Sequence, residues 1–328
     1  MDKMKRPQKW VSFWEVVLVL GLPCHGQSLA GESPPLTISG TVRDPSGASA
    51  AGVVVTFRPG HYMMAHDYAE AMTDKDGRYA LTVKPAKHGP FILWSGPVDH
   101  TESVLARDLK KNLAAIHEFI EMPTNIDLTL QPGITLSGFV KDTNGSPVAT
   151  GLVGLCIRSG RMFTPLEPQP IRTDAHGFFS IPALPQGRDY GFVWGLVGGI
   201  TAPGYGSASA YLGTNDSHTN HYEFPAFVLR KADRKFAGQV LDHDRKPVAG
   251  ANVWFMGQDQ PQMDNFTQTD GQGRFAFDGL CDGRLKIFTI FSNGPDSREV
   301  SYVRGGDGME VQGGETNVVL MLGGTKPD

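Results

Sequence analysis

Ten histidines are the first residues to test for chemistry, because a neutral imidazole binds metal and moves protons near neutral pH. His61 and His66 stand five apart and His218 and His221 three apart. Those spacings are compatible with a shared zinc ion and do not require one. His117-Glu118-Phe119-Ile120-Glu121 begins like a zinc-peptidase helix but lacks the second histidine of that motif. Asp74-Lys75-Asp76-Gly77 begins like a calcium loop, with alternate carboxylates before a glycine, yet the carboxylate of the twelfth position is missing. Two equivalent turns carry Ala175 and Gln272 instead, so the motif reads as turn geometry. No serine has a G-x-S-x-G setting, and Cys156 reads as a small apolar side chain on a strand. The sequence therefore names no catalytic residue, no metal ligand and no cofactor.

Aromatic residues placed away from a core suggest binding instead. Trp254 lies between Val253 and Phe255, so if those two point inward it points outward. Tyr205 and Tyr211 stand in a stretch rich in Gly, Ser and Ala. A flat exposed ring on a β-sandwich is what the apolar face of a pyranose packs against, which makes Tyr205, Tyr211 and Trp254 the candidate ligand-binding residues. The other reading of the same rings is that they seal seams between domains or stiffen a loop.

The elements that must position these residues follow from composition and pattern. Forty Gly and 23 Pro in 328 residues, without a collagen period, fit many tight turns between short strands. A formal charge of −4 excludes a general attraction to phosphate backbones, so nucleic acid is not an expected partner. Lys3, Lys5, Arg6 and Lys9 precede an apolar stretch from Val11 to Leu22 and then small residues, the layout of a signal peptide over residues 1–30. Export to a secreted, periplasmic or cell-envelope location is the expectation. No span is expected in the mature chain, because no other stretch approaches the roughly 20 apolar residues that one needs. With Cys24 lost, Cys156 and Cys281 remain in different repeats, which excludes a disulfide scaffold and a cysteine-only metal site.

Self-similarity organises the rest. Ile38-Ser-Gly-Thr-Val-Arg-Asp44, Leu136-Ser-Gly-Phe-Val-Lys-Asp142 and Phe236-Ala-Gly-Gln-Val-Leu-Asp242 superpose without gaps, each with period-two alternation. A polar turn follows, and then a strand whose inward pairs are Val55 and Phe57, Val153 and Leu155, and Val253 and Phe255. The third block is Thr73-Asp-Lys-Asp-Gly-Arg-Tyr79, Thr173-Asp-Ala-His-Gly-Phe-Phe179 and Thr269-Asp-Gly-Gln-Gly-Arg-Phe275. Its Asp and Gly fit a turn with one residue at positive φ. Each copy closes on a further alternating strand, near Ile126 to Leu130, Phe224 to Leu229 and Val318 to Leu322. The predicted domains are residues 36–131, 132–232 and 233–322. Gln131-Pro-Gly133 and Arg230-Lys-Ala-Asp233 serve as short linkers that allow limited movement.

Two stretches differ between copies. Leu105, Leu109, Leu113, Ile116 and Ile120 recur at helical spacing, which predicts one short helix over 101–121, inserted in the first domain. Residues 195–221 read as a long surface loop.

The G-x-V-x-D, Pro-Val-Ala-Gly and T-D-x-x-G-x-aromatic blocks, best kept at Gly238 to Asp242, Pro247 to Gly250 and Thr269 to Phe275, resemble the carboxypeptidase regulatory-like domain. That resemblance implies an all-β fold of three tandem Greek-key, transthyretin-like β-sandwich domains. It also implies a non-catalytic, carbohydrate-binding-like accessory module of secreted proteins. The function expected is thus a structural and binding protein, not an enzyme, whose partner is a polysaccharide or a cell-surface protein. The alternative is a metal-dependent hydrolase or an accessory subunit of a secreted peptidase.

Overall fold

The computed structural model describes residues 35–60, 68–83, 101–160, 162–192, 199–257, 259–261, 265–292, 300–302 and 308–322. The signal segment 1–30 with Cys24, and the pair His61 and His66, lie outside the described residues. The fold is all-β, and no helix among the described residues is long and apolar enough to cross a membrane.

Each copy of the first sequence block becomes a strand paired on both edges, in a three-stranded sheet for the first and third copies and in an eight-stranded one for the second. Leu36–Arg43, Gln131–Asp142 and Ala232–Leu241 each pair antiparallel with the strand that follows the T-D-x-x-G turn: Arg78–Val83, Phe178–Pro185 and Arg274–Cys281. On the other edge each takes a short parallel partner: Leu128–Thr129, Phe227–Leu229 and Val318–Met321. The second layer is built on Val54–Arg58, Cys156–Ser159 and Asn252–Met256. Among the described residues, buried apolar side chains gather in three clusters, one around Ile38, Val55 and Leu81, one around Leu136, Ile157 and Phe179, and one around Phe236, Val253 and Phe277.

The third block explains itself in hydrogen bonds. Buried Thr73, Thr173 and Thr269 donate from Oγ1 to Ala50 O, Val148 O and Val248 O at 2.7 Å. The same hydroxyls accept from Val53 N (2.9 Å), Gly151 N (2.8 Å) and Ala251 N (2.9 Å). Asp74, Asp174 and Asp270 each accept two backbone N–H groups two and four residues on, at 2.8 to 2.9 Å. These are Asx turns, in which the side chain stands in for a backbone acceptor. Gly77, Gly177 and Gly273 sit at φ of 74°, 71° and 69°. A Cβ there would also lie 2.5, 2.3 and 2.7 Å from Val42 O, Val140 O and Val240 O, so glycine is required twice over.

The helix predicted over 101–121 is a β-hairpin, Glu102–Asp108 with Leu113–Phe119. Asp108 Oδ1 accepts from Lys110 N and Lys111 N at 3.1 Å, and Asn112 at φ 51° reverses the chain. Val104, Leu105 and Ala106 are all buried, so this strand is covered on both faces and shows no alternation, while Leu109 and Ile120 of the supposed apolar stripe are exposed. The stretch 195–221 is also not one loop: its described part holds Gly199–Thr201, Ser207–Ala208, Ala210–Leu212 and a 3-10 turn at Thr214–Asp216. Nor are the two linkers free, since Gln131 and Ala232 open strands.

The hairpin joins the first repeat to the second. Leu113 pairs with Pro132 and Ala114 with Gln131, which carries one eight-stranded sheet across the joint. Arg58, with no exposed surface, donates to Thr164 Oγ1 (2.6 Å), Thr164 O (3.0 Å), Pro165 O (3.1 Å) and Ser103 Oγ (3.2 Å). Arg107 donates to Pro182 O (2.8 Å) and Ala183 O (3.2 Å) and pairs with Glu167.

Candidate functional site

The alternation that buries Ile157, Tyr190 and Leu212 in the second core turns their neighbours outward on the sheet Met162–Pro165, Cys156–Ser159, Tyr190–Phe192, Ala210–Leu212. Arg158 pairs in register with Phe163, and Gly191 with both Cys156 and Tyr211. Half of this outer face is closed: Cys156 is buried, and Arg58 of the first repeat lies on Thr164 and Pro165. Burial pushes the Cys156 thiol up to about 12, against the opposing pull of Arg58, so it is no nucleophile.

The other half is open. Tyr211 is 55% exposed, and its ring stands at 83° to that of Phe163 with centroids 5.9 Å apart. The two rings make a corner. Beneath it Asp189 accepts from Thr214 Oγ1 (2.5 Å) and Thr214 N (2.7 Å) and pairs with Arg158 Nη1 at 3.2 Å. Burial raises the Asp189 carboxyl, but hydrogen bonds from Thr214 and Arg158 outweigh it and hold the group below its ordinary value. Burial, then Asp189, raise the Tyr211 phenol. Arg158 Nε donates to Gly160 O at 3.2 Å, and about half of its side chain faces solvent.

Tyr205 is placed differently. It is half-buried against the second core, bridges to Lys231, and immediately precedes Gly206, whose N–H donates to Arg230 O. It therefore lies at the joint between the second and third repeats. Trp254 does point outward from the third core, half-buried. Its ring lies nearly parallel to that of Phe288, 10° apart in plane with centroids at 5.5 Å, and faces the exposed Phe266 across the neighbouring strand. Phe288 is in turn closed by Gly308. Trp254 Nε1 is buried and has no hydrogen-bond partner among the described residues. The three aromatic candidates thus occupy three separate places, and no ring contact among the described residues joins them.

The histidines among the described residues do not converge. His221 Nε2 lies 2.8 Å from Ser137 Oγ, but Ser137 is buried in the middle of a strand, so the contact ties two parallel strands together. His218 packs on Gly187, and His117 lies beside Phe119. Among the described residues no group of three or more His, Cys, Asp and Glu could hold a metal ion. A cleft of about 220 Å³ opens at the first joint between Leu109, Leu155, Ile171 and Ile181, and the Arg107 and Glu167 that floor it are paired with each other.

Sequence reasoning singled out Tyr211 but missed Phe163, Arg158 and Asp189. Their only linear signal is the alternation around Ile157 and Tyr190, which fixes the face but not the partners.

No family model matches the chain, and no curated protein matches it. The resemblance to the carboxypeptidase regulatory-like domain therefore rests on the motif blocks alone. Among solved structures the chain is similar to a streptococcal ancillary pilin, at 11% identity over 89% of this chain and 100% of that one, with a TM-score of 0.30. It is similar to the minor pilin of Streptococcus agalactiae at 12% identity over 60% and 98%, TM-score 0.31. The shaft pilin of Lactobacillus rhamnosus GG gives 13% identity over 59% and 98%, TM-score 0.23. Scores of this size carry no argument about arrangement or activity.

Proposed function

We propose that this chain is a non-catalytic, extracytoplasmic structural and binding protein made of three tandem Greek-key β-sandwich domains of the carboxypeptidase regulatory-like kind. The domains span 36–131, 132–232 and 233–322, and the partner is a polysaccharide of a cell surface or matrix. One observation carries the reading: the polar side chains shared by the three copies are all spent on their own backbone, in the same bonds each time. A motif consumed by turn geometry specifies shape and leaves binding to what differs between copies. The hydrogen-bonded first joint supports a structural role, and the exposed outward ring of Tyr211 supports a binding one.

The test is retention of the chain 31–328 on a panel of cellulose, chitin, starch, xylan, alginate and pectin, with released reducing ends and bound zinc measured in parallel. The expected result is retention on at least one polymer without hydrolysis or stoichiometric zinc. Turnover would instead establish the hydrolase reading.

A further inference from the structure

We infer that the corner of Tyr211 and Phe163, with Arg158 and Asp189 beneath it, is the subsite at which one pyranose ring of the polysaccharide stacks. This rests on the polysaccharide reading above and names its place on the molecule.

The geometry supplies the two parts that sugar recognition requires, an apolar ring face and fixed polar groups at its edge. Tyr211 is more than half exposed although it sits within a strand, and its ring is not loose. Phe163 meets it at 83°, with ring centroids 5.9 Å apart. An exposed ring packed edge-on against a neighbour has less rotamer freedom to lose on binding, which lowers the entropic cost of docking a ligand on it.

Asp189 and Arg158 divide the polar work. The carboxylate already accepts from Thr214 N, Thr214 Oγ1 and Arg158 Nη1, three of its about four acceptor sites. It is a positioning residue. The guanidinium has five N–H donors, of which Nε and one on Nη1 go to Gly160 O and Asp189. Its remaining donors are available to the hydroxyl oxygens of a sugar lying on Tyr211. The Trp254 site lacks this division: one ring face is taken by Phe288, and the indole N–H is buried. Tyr205 is taken by the joint.

The experiment measures affinity of the chain 31–328 for each soluble polymer that retains it, by affinity electrophoresis, with urea unfolding of every variant as a control. Tyr211→Ala is expected to weaken binding about tenfold or more, and Arg158→Gln about threefold, from the size of stacking and hydrogen-bond contributions. Tyr211→Phe keeps the ring and is expected to retain most affinity, while Trp254→Ala changes nothing. If the wild type binds and Tyr211→Ala binds equally well with unchanged stability, the subsite assignment is overturned and the polysaccharide reading survives. If no polymer on the panel is retained by the wild type, both are overturned.

Discussion

The joint between the first and second repeats buries charge, whereas the joint between the second and third buries neutral groups. At the first, Arg58 is wholly enclosed and spends its donors on Thr164, Pro165 and Ser103, and Arg107 reaches Pro182, Ala183 and Glu167. At the second, Gly206 lets the chain approach so closely that a Cβ there would stand 1.9 Å from Asp259 O. Gln260, almost fully buried, exchanges two hydrogen bonds with the backbone of Cys281, at 2.9 and 3.1 Å. Each joint also encloses one free cysteine, Cys156 or Cys281. The difference teaches where rigidity comes from. A guanidinium in a dry interface is tolerable only while every donor is matched, so the first joint has one admissible geometry. The second is held by the close approach at Gly206 and by neutral hydrogen bonds such as that from Ser207 Oγ to Gln260 O at 2.8 Å.

The largest effect that would break this contrast is at Arg58. Arg58→Ala removes the guanidinium's bonds to four buried acceptors, Thr164 Oγ1, Thr164 O, Pro165 O and Ser103 Oγ, and opens a cavity, and we expect a loss of about 4 kcal/mol from these terms. Urea unfolding measures it, and native-state labelling of Cys156 by a thiol reagent should accelerate with it. An unchanged midpoint and labelling rate would show that the arginine locks nothing.

A pH titration sharpens the picture of the first joint, because Glu102 begins the hairpin strand that builds it. Burial raises its carboxyl from 4.5 to about 7. The folded state thus holds this proton more tightly than the unfolded one, so stability is full below about pH 4.5 and falls as pH rises through 7. The loss amounts to about 3 kcal/mol. Glu102→Gln should flatten the urea midpoint across this range, and a wild-type profile that rises from pH 5 to 7 would contradict the assignment.

Gly206→Ala probes the second joint. The new methyl meets Asp259 O and Cys281 Sγ, and the overpacking should cost about 2 kcal/mol while speeding labelling of Cys281 and leaving Cys156 alone. Smallest is Arg230→Ala, which removes an exposed pair with Asp259 at 3.7 Å and an exposed bond to Asp282 O at 3.0 Å; a change within about 1 kcal/mol is expected.

Much of this architecture was legible in the sequence because turns are specified by few residues. Thr73, Asp74 and Gly77 and their counterparts each have one task, and the inward pairs such as Val253 and Phe255 are buried where alternation put them. The hairpin at 102–119 was not legible, because a strand buried on both faces has no period of two and its leucines fell by chance at helical spacing. The strands within 199–212 are two or three residues long, too short for any period to show. As for the binding corner, Tyr211 was legible as an outlier of composition. Phe163, Arg158 and Asp189 reach it only through strand pairing between segments up to about 50 residues apart, which no local pattern records.

Hydrogen–deuterium exchange of the chain 31–328, free and saturated with the polysaccharide that retains it, tests the central claim most directly. The account predicts new protection in 158–163, 189–191 and 210–214, with no change around Trp254. Protection confined to 252–256 and 266–268, or to the joint at Tyr205, would contradict it.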